Sequence, residues 1–221
     1  MSIILSMISK KGGVVCSDGR KFSSIIIKED DTSDEKATIA SDNYDKTFNI
    51  QKKLIGAYCG LLSFSSHNIQ EHIADLVKDK LNVNHEEIIA IIENGLRDKL
   101  LQISHDEIRL KSRKIDLLLV GRKDKKRMQI SALSFFPQES TILSIKETVI
   151  TNSENRYYTF GDDNAQRSAK NILNQNKAPN FDNSYLIKLS KKAISAGINY
   201  SSRHPYSDEQ SCGGDIFFRQ I

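Results

Sequence analysis

Hydrophobic and polar positions along the first quarter of the chain follow a pattern that predicts short β-strands. The run from residue 2 to residue 9 is rich in Ile and Leu, and Gly12-Gly13 separates it from Val14-Val15-Cys16-Ser17. Two β-prone runs joined by a glycine-containing turn are typical of a hairpin. The hydrophilic stretch Lys28–Lys36 lies between two apolar segments and predicts a surface loop. Further short strands are predicted at residues 23–27, 38–41, 47–50 and 54–59.

The hydrophobic period changes between residues 67 and 83, where apolar side chains recur every three or four positions. This period places them on one face of a helix. Asn84 is a suitable N-cap for a second helix, whose apolar stripe includes Ile88, Ile92 and Leu96. The region therefore predicts a pair of consecutive helices, each with one face to bury.

The second half of the chain repeats this order of strands followed by two helices. Asp162 or Asp163 can begin a third helix, Asn183 can begin a fourth, and a last strand at 215–221 follows Gly213-Gly214. Because the helices come in pairs instead of alternating with strands, the order predicts an α+β layered fold with antiparallel sheets and helices outside them. Strands are predicted here at residues 115–121, 128–136, 140–146 and 156–161.

Composition narrows the class of protein. The 221 residues are 38% hydrophobic and 27% charged, which suits a folded core and excludes a disordered chain. We find no internal repeat and no Pro/Gly/Ser-rich linker, so one domain over residues 1–221 is expected. The net charge of +4 is too small to indicate a nucleic-acid or membrane partner. No apolar run approaches the roughly 20 residues that span a bilayer, and the N-terminus does not resemble a secretory signal.

The three cysteines, Cys16, Cys59 and Cys212, are odd in number and widely spread. This spacing predicts neither a disulfide framework nor a metal site. We therefore expect a cytoplasmic protein with reduced thiols and no metal or other cofactor.

Ser2 is the first residue that could carry chemistry. Removal of Met1, which a small second residue normally permits, would make Ser2 N-terminal. A free α-amine has a pKa of about 7.7–8.0 and can act as the general base for its own residue's hydroxyl. Most chains that begin Met-Ser make no such use of the serine, so Ser2 alone does not establish a function.

Asp18, Arg20, Lys46 and Gly60 are further candidates. A lysine near a nucleophilic hydroxyl stabilises the developing alkoxide, and an acid beside the lysine fixes its position and charge. Gly60 ends a strand-like run, where a backbone N–H could bind an oxyanion. In isolation, a surface ion pair and a turn glycine are the commoner interpretations of these residues.

Taken together, these positions resemble a β-type subunit of the proteasome group, within the N-terminal-nucleophile hydrolases. Counted from Ser2 as the first residue of a processed chain, Asp18 and Arg20 are in register with the family's acid and arginine. Lys46 comes later than the family's lysine, and the hydrophilic stretch Lys28–Lys36 is an obvious place for an insertion.

The resemblance continues beyond the lysine. Gly60 follows Lys46 by fourteen residues, as the family's oxyanion glycine follows its lysine, and the run Lys46-Thr-Phe-Asn-Ile50 matches too. Near the C-terminus, Ser207–Ile216 resembles the family's acid–x–x–Ser–Gly–Gly segment. Strict alignment on the two glycines places Glu209 at the acid and Cys212 at the serine. A shift of one residue would use Asp208 and Ser211 instead, and the sequence leaves both alignments open.

Two residues depart from the family pattern. The nucleophile would be Ser2 where the family has Thr, whose methyl group restrains the rotamer, so a serine could be slower. Asp162, in Phe160-Gly-Asp-Asp163, stands where the family has a serine that hydrogen-bonds the terminal amine. A carboxylate there would raise the pKa of the amine and make it a poorer base near neutral pH.

The resemblance implies a four-layer α/β/β/α sandwich of the N-terminal-nucleophile hydrolase type, with two antiparallel sheets flanked by helices. It implies peptide-bond hydrolysis by Ser2, with Lys46 stabilising the alkoxide, Asp18 holding Lys46, and Gly60 binding the oxyanion. It also implies a homo-oligomeric ring that acts on peptides or unfolded proteins. An ATP-dependent unfoldase is compatible with the resemblance, but no feature of the sequence identifies one.

The resemblance also carries a specificity residue and two alternatives. Tyr58, two positions before Gly60, would form the floor of the specificity pocket and favour small side chains before the cut. One alternative function is that of a catalytically inactive structural or binding homologue with the same fold. The other is a hydrolase of the same superfamily that acts on a small amide.

Overall fold

The structure of the chain is a computed structural model. It describes residues 2–29, 32–60, 63–64, 67–80, 83–102, 114–137, 141–152, 156–176, 181–203 and 212–221. Within these ranges, we find no helix with the length and apolar character needed to cross a lipid bilayer.

The strands follow the predicted order closely. In chain order they are β1 (Ile3–Ile8), β2 (Gly13–Asp18), β3 (Lys21–Glu29), β4 (Thr32–Ser41), β5 (Thr47–Ile50), β6 (Leu54–Gly60), β7 (Ser63–Phe64), β8 (His67–Asn68), β9 (Ile115–Arg122), β10 (Met128–Pro137), β11 (Ile142–Ile150), β12 (Tyr157–Gly161) and β13 (Ile216–Gln220).

The helices also occur in the two predicted pairs. They are α1 (Ile69–Val77), α2 (His85–Gln102), α3 (Asp163–Asn174) and α4 (Asn183–Arg203). Asn84 caps α2 as predicted, since its side chain accepts a hydrogen bond from the Glu87 N–H at 3.0 Å while the Glu87 carboxylate accepts one from the Asn84 N–H. Asp162 caps α3 with a single hydrogen bond, which its side chain accepts from the N–H of Ala165 at 2.8 Å.

The two main sheets are antiparallel throughout. The first has the strand order β12-β1-β2-β13 and the second has the order β11-β10-β9-β6-β5. The register pairs Ile3 with Gly161 across β1 and β12, and pairs Gly60 with Ile115 across β6 and β9. The beginning of β1 and the end of β6 therefore lie at defined positions in their sheets, which matters for the site described below.

Three apolar clusters separate four layers. One fills the space between the second sheet and helices α1 and α2, and includes the fully buried stripe Ile88, Ile92 and Leu96. A second lies between the first sheet and helices α3 and α4, and a third lies between the two sheets. The predicted α/β/β/α sandwich is confirmed, and the α2 stripe is covered within the chain.

The stretch Lys28–Lys36 does not form the predicted loop. Strands β3 and β4 extend through most of it as an antiparallel hairpin, with Lys28 opposite Ser33 and Ile26 opposite Glu35. Charged residues do not prevent such a ladder, because pairing uses the backbone and their side chains need no burial. A stretch without an apolar face can therefore form a regular hairpin, which is why the prediction of a loop was wrong.

Element boundaries are the other correction. The helix predicted from residue 67 begins at Ile69, because Asn68 caps it by accepting from the Glu71 N–H, and it ends at Val77. The strand predicted at 140–146 is β11, which runs to Ile150 along the edge of its sheet. These shifts leave the order of elements unchanged.

Candidate active site

The Asp18 carboxylate is the centre of a buried polar cluster at the end of β2. Its Oδ1 accepts hydrogen bonds from the backbone N–H of Ile3 and from Lys46 Nζ, both at 3.0 Å. Its Oδ2 accepts one from the backbone N–H of Gly213 at 3.1 Å. The side chain is fully buried, so these three donors replace the water that an exposed carboxylate would bind.

Lys46 approaches Asp18 from the second sheet, just before β5. Besides the carboxylate, its ammonium donates to the Asp18 backbone carbonyl oxygen at 2.8 Å, and its side chain is also fully buried. The backbone carbonyl of Lys46 accepts from the Tyr58 N–H, which fixes the start of β5 against β6. A completely buried ion pair between two sheets is costly to form, since each charge loses its hydration.

Ser2 lies directly before β1 and is only 8% exposed. Its carbonyl oxygen accepts a hydrogen bond from the Asp162 N–H at 2.8 Å. The next peptide N–H, that of Ile3, donates to Asp18. The backbone of Ser2 is thus fixed on both sides, and the peptide after Ser2 contacts Asp18, which also holds Lys46.

Gly60 ends β6 in a left-handed conformation with φ of +96°. A Cβ atom at this position would come within 1.9 Å of the Lys114 carbonyl oxygen, so only glycine fits between β6 and the start of β9. Gly60 follows Cys59, whose thiol is near both Asp18–Lys46 and Asp116. Burial, with Asp116 adding to it, raises the pKa of the Cys59 thiol well above its ordinary value. Cys59 is therefore a packing residue and a poor nucleophile.

Gly161 and Asp162 form the turn that faces Ser2 from the first sheet. Gly161 has φ of +116°, and a Cβ there would lie 1.8 Å from the Ser2 carbonyl oxygen. The Asp162 carboxylate, 1% exposed, caps α3 by accepting from Ala165 N–H at 2.8 Å. The sequence singled out Asp162 for its side chain, whereas its backbone N–H is what holds Ser2.

The C-terminal segment reaches the cluster through Gly213. Cys212 is fully buried, its N–H donates to Ser201 Oγ at 3.3 Å, and its neighbour Gly213 donates to Asp18. Glu209, Asp208 and Ser211 lie outside the described residues, so the two alignments of this segment stay open.

Arg20 supports the same segment from the other side. Its guanidinium forms a two-pronged ion pair with Asp42, at 2.6 and 3.0 Å. It also packs against Gly213, where a Cβ atom would be 2.5 Å from the guanidinium carbon. Arg20 therefore places the Gly213 N–H that binds Asp18, which is a structural role.

Tyr58 is fully buried beside the cluster, on the face of β6 that packs against α1 and α2. Its hydroxyl is 3.0 Å from that of Tyr44, and its ring packs at 6.2 Å from that of Phe48. Burial and the Tyr44 hydroxyl raise the pKa of Tyr58, so it stays a neutral phenol. Gly60, two residues later in β6, is on the same face of the strand as the phenol.

Sequence reasoning missed a second buried acid, Asp116, on the face of β9 that packs against the first sheet. Its side chain is 1% exposed, and it accepts a hydrogen bond from Ser134 and an ion pair from Lys114. The signal was present, because Asp116 is the one charge inside the apolar run Ile115–Val120.

The assembled cluster has the groups needed for nucleophilic acyl transfer. It combines a hydroxyl at the chain's N-terminal end, a buried cation, an acid that holds the cation, and a left-handed glycine at a strand end. Across the described ranges, His, Cys, Asp and Glu side chains form no group of three or more that could hold a metal ion.

No protein-family profile matches the chain, and no characterised protein matches its sequence. Solved structures do resemble it. Anbu, an ancestral β-subunit from Yersinia bercovieri, has a TM-score of 0.56 at 13% identity, covering 99% of this chain and 80% of that chain. A Gly-1 mutant of Anbu from Hyphomicrobium sp. strain MC1 has a TM-score of 0.54 at 11% identity, with the same coverage. Eukaryotic HslV from Trypanosoma brucei has a TM-score of 0.51 at 12% identity, covering 99% and 98%.

At these identities the likeness concerns the fold. It extends over almost the whole of this chain, and it agrees with the order of sheets and helices that the sequence predicts. The chain therefore has the fold of Anbu and HslV, with two antiparallel sheets flanked by helices.

Proposed function

We propose that the protein hydrolyses peptide bonds with Ser2 as an N-terminal nucleophile, after removal of Met1, inside a self-compartmentalised proteasome-like assembly. The observation that carries the proposal is the fully buried Asp18–Lys46 pair next to Ser2. Burying such a pair costs stability, and apolar residues of the same volume would often serve the fold better. Its contact with the peptide that follows Ser2, in this fold, favours a chemical role.

The mechanism follows from the groups in the cluster. The free α-amine of Ser2 takes the proton from Ser2 Oγ as this oxygen attacks the substrate carbonyl carbon. The tetrahedral intermediate places its negative oxygen at the Gly60 N–H. The amine then gives its proton to the leaving nitrogen as the peptide C–N bond breaks, and an ester to Ser2 remains. Water then attacks this ester. The amine takes a proton from the water and returns it to Ser2 Oγ as the ester C–O bond breaks.

Lys46 supplies positive charge to this process. Its ammonium stabilises the alkoxide that develops on Ser2 Oγ and disfavours a proton on the neighbouring amine. Asp18 holds Lys46 in place by accepting two hydrogen bonds from its ammonium, one at Oδ1 (3.0 Å) and one at the backbone carbonyl oxygen (2.8 Å). Asp18 also binds the Ile3 N–H, so one acid orients both the cation and the strand that carries the nucleophile.

The remaining candidate residues have supporting roles. Asp162 holds the Ser2 carbonyl through its backbone N–H, while its carboxylate caps α3. Glu209 and Cys212, or Asp208 and Ser211 in the shifted alignment, complete the surroundings of the amine. Tyr58 forms the floor of the specificity pocket and favours small or slender side chains before the cut.

Assembly and substrate belong to the same proposal. A homo-oligomeric ring would enclose the sites, the substrates would be peptides or unfolded proteins, and the location would be cytoplasmic. Sedimentation at micromolar concentration should give a species much larger than one chain of 25.0 kDa. A clean monomer would contradict the compartmental arrangement.

A second candidate is a catalytically inactive homologue, which Ser2 in place of Thr and Asp162 in place of Ser both favour. A hydrolase of a small amide would use the same cluster, and profiling peptides against small amides would distinguish it from a peptidase.

Two measurements test the proposed chemistry together. The intact mass of protein purified from its own cells should lack Met1, because the amine must be free to act as base. A peptidyl β-lactone, which acylates N-terminal serines, should then add one equivalent to wild type and none to Ser2→Ala. Retention of Met1 with no acylation would support the inactive homologue instead.

A further inference from the structure

Lys114 lies directly before β9, where the two sheets face each other near Gly60. Its ammonium is 3.0 Å from Asp116 Oδ2. It also lies 5.7 Å from the ring centroid of Phe136 and 5.8 Å from that of Phe160. Phe136 belongs to β10 of the second sheet and Phe160 to β12 of the first, so one side chain contacts both sheets.

The contact with Asp116 holds the ammonium in place. The Asp116 side chain is 1% exposed, while that of Lys114 is 45% exposed. A buried carboxylate needs a counterion, since an unpaired one would lose its hydration without compensation. The other Asp116 oxygen accepts from Ser134 Oγ at 2.5 Å. Lys114 is therefore fixed at one end by an acid that can hardly move.

The backbone of Lys114 touches the proposed oxyanion donor. Gly60 is paired with Ile115, and its left-handed conformation brings it against the Lys114 carbonyl. A displacement of residues 114 and 115 would therefore move Gly60 with them, because no side chain separates the two backbones.

The ring of Phe160 connects Lys114 to the nucleophile. Phe160 pairs with Ile4 in β1, the second residue after Ser2. The two residues that follow Phe160 are Gly161, packed on the Ser2 carbonyl, and Asp162, whose N–H binds that carbonyl. A cation within about 6 Å of a ring face is attracted to it.

We propose that Lys114 is a positioning residue that sets the distance between Gly60 and Ser2. It joins the strand beside the oxyanion donor to the strand beside the nucleophile, and it touches no reacting atom. The inference rests on the proposed function, and it deepens it by naming a residue outside the catalytic cluster. A misplacement of about 1 Å can cost up to a hundredfold in rate, so a weak contact at this place has a large effect.

Lys114→Met tests the inference, since Met keeps an apolar contact with the rings and removes the charge. We expect the maximal rate of acylation by the β-lactone probe to fall about tenfold, with the half-saturating probe concentration unchanged, because only the relative position of the reacting groups is altered. Lys114→Arg keeps the charge and the stacking on Phe160, and should restore the rate.

Lys146→Met is the matched control. Lys146 also forms a partly exposed ion pair, with Glu86 at 3.6 Å, but this pair joins β11 to α2 away from the cluster. Its acylation rate should equal that of wild type. An equal fall in both methionine variants would overturn the inference, because it would indicate a general loss of stability.

Amide hydrogen exchange gives a readout that does not need catalysis. The Asp162 N–H, bonded to the Ser2 carbonyl, should exchange faster in Lys114→Met than in wild type, Lys114→Arg or Lys146→Met. If Lys114→Met does not fold, Phe160→Leu removes the first-sheet contact and keeps the ion pair, and should change both readouts in the same direction.

The outcomes separate the two proposals. A wild-type protein that the probe does not acylate contradicts the proposed function, and the Asp162 exchange rate then decides the inference alone. An unchanged acylation rate in an active Lys114→Met variant, or an unchanged Asp162 exchange rate, would overturn the positioning role of Lys114.

Discussion

Each end of the sandwich has an ion pair, but one pair is buried and the other is exposed. At the end where β1 begins, Asp18 and Lys46 are in contact and both side chains are fully buried. At the end where β9 finishes, Asp124 and Arg127 also form an ion pair, but their side chains are 41% and 43% exposed. Two pairs of the same chemical kind therefore have very different costs, because only the first pair has given up its water.

This difference shows where to look for function in a chain of weak net charge. Near the exposed pair lies an open cleft of about 770 Å³, lined mostly by cations and polar groups. Asp124, Lys125 and Lys126 in its lining are exposed, as charged side chains on an ordinary solvated surface are. The buried pair is the stronger candidate for a functional site, because burying two charges is costly and a fold does not require such a pair. Four variant sets test this contrast.

Lys46→Ala should have the largest effect. In the proposed mechanism Lys46, Ser2 and the amine act as one unit, so we expect acylation by the β-lactone probe to fall by roughly a thousandfold or more. Lys126→Ala, at the exposed end, should leave the acylation rate unchanged. A Lys46→Ala protein that reacts like wild type would show that the buried pair has no part in the chemistry.

Asp18→Asn tests the cost of the buried pair to stability. The variant leaves the Lys46 charge buried without its acid, so we expect the free energy of unfolding in urea to fall by about 3–5 kcal/mol. Asp124→Asn, its counterpart at the exposed end, should have a urea midpoint close to that of wild type. Equal midpoints for the two variants would contradict the assigned difference between the ends.

Tyr58→Ala should alter selectivity next to the buried pair. Removing the phenol opens space below Gly60, and we expect the preference for small side chains before the cut to relax by about tenfold in kcat/KM. Tyr58→Phe removes only the contact with Tyr44 and should keep the wild-type preference. Peptide libraries that vary this one position measure the ratio, and a preference unchanged in Tyr58→Ala would exclude Tyr58 from the pocket.

The Arg20–Asp42 pair is intermediate in exposure between the other two ion pairs. Its removal should have the smallest effect. The hydrogen bond from Arg20 lowers the pKa of Asp42 below its ordinary value of 3.8. The pair therefore stabilises the folded state above that ordinary value, and this contribution is lost as the pH falls through the lowered pKa. Asp42→Asn should be slightly less stable than wild type at neutral pH, with the difference vanishing in strong acid. Urea unfolding measured at several pH values would detect it.

The periodicity of apolar residues was enough to predict antiparallel sheets with helices outside them. Nearly every strand and helix has apolar residues at the spacing typical of its type. The Lys28–Lys36 hairpin could not be predicted from periodicity, because its ladder is made by backbone groups and no apolar face is required. Whether residues 1–221 form a single domain stays a prediction.

The candidate site could be predicted where its residues follow the spacing of the family motif. Residues that meet only through contacts between the two sheets could not be predicted. Asp18 contacts both Lys46 and the peptide that follows Ser2, while the roles of these residues stay a prediction. Lys114 and Asp116 could not be placed from spacing, since their importance depends on a contact between two sheets that are distant in sequence. The hydrogen bond from the Asp162 backbone N–H to Ser2 could not be predicted, because every residue except proline has such an N–H and the sequence distinguishes only side chains.

The burial of Ser2 has a consequence for how the protein would mature. An enzyme that trims Met1 must grasp the residues beyond the bond it cuts, and in the folded protein Ser2 is 8% exposed and Ile3 is not exposed at all. If Met1 is removed as proposed, its removal competes with folding and is expected on the nascent chain, before β1 pairs with β2 and β12. The hydrogen bonds that fix Ser2 use its carbonyl and the next amide, neither of which changes on trimming. A chain that folds too soon would have the correct architecture and no nucleophile, so the timing of biogenesis would set the fraction of active subunits.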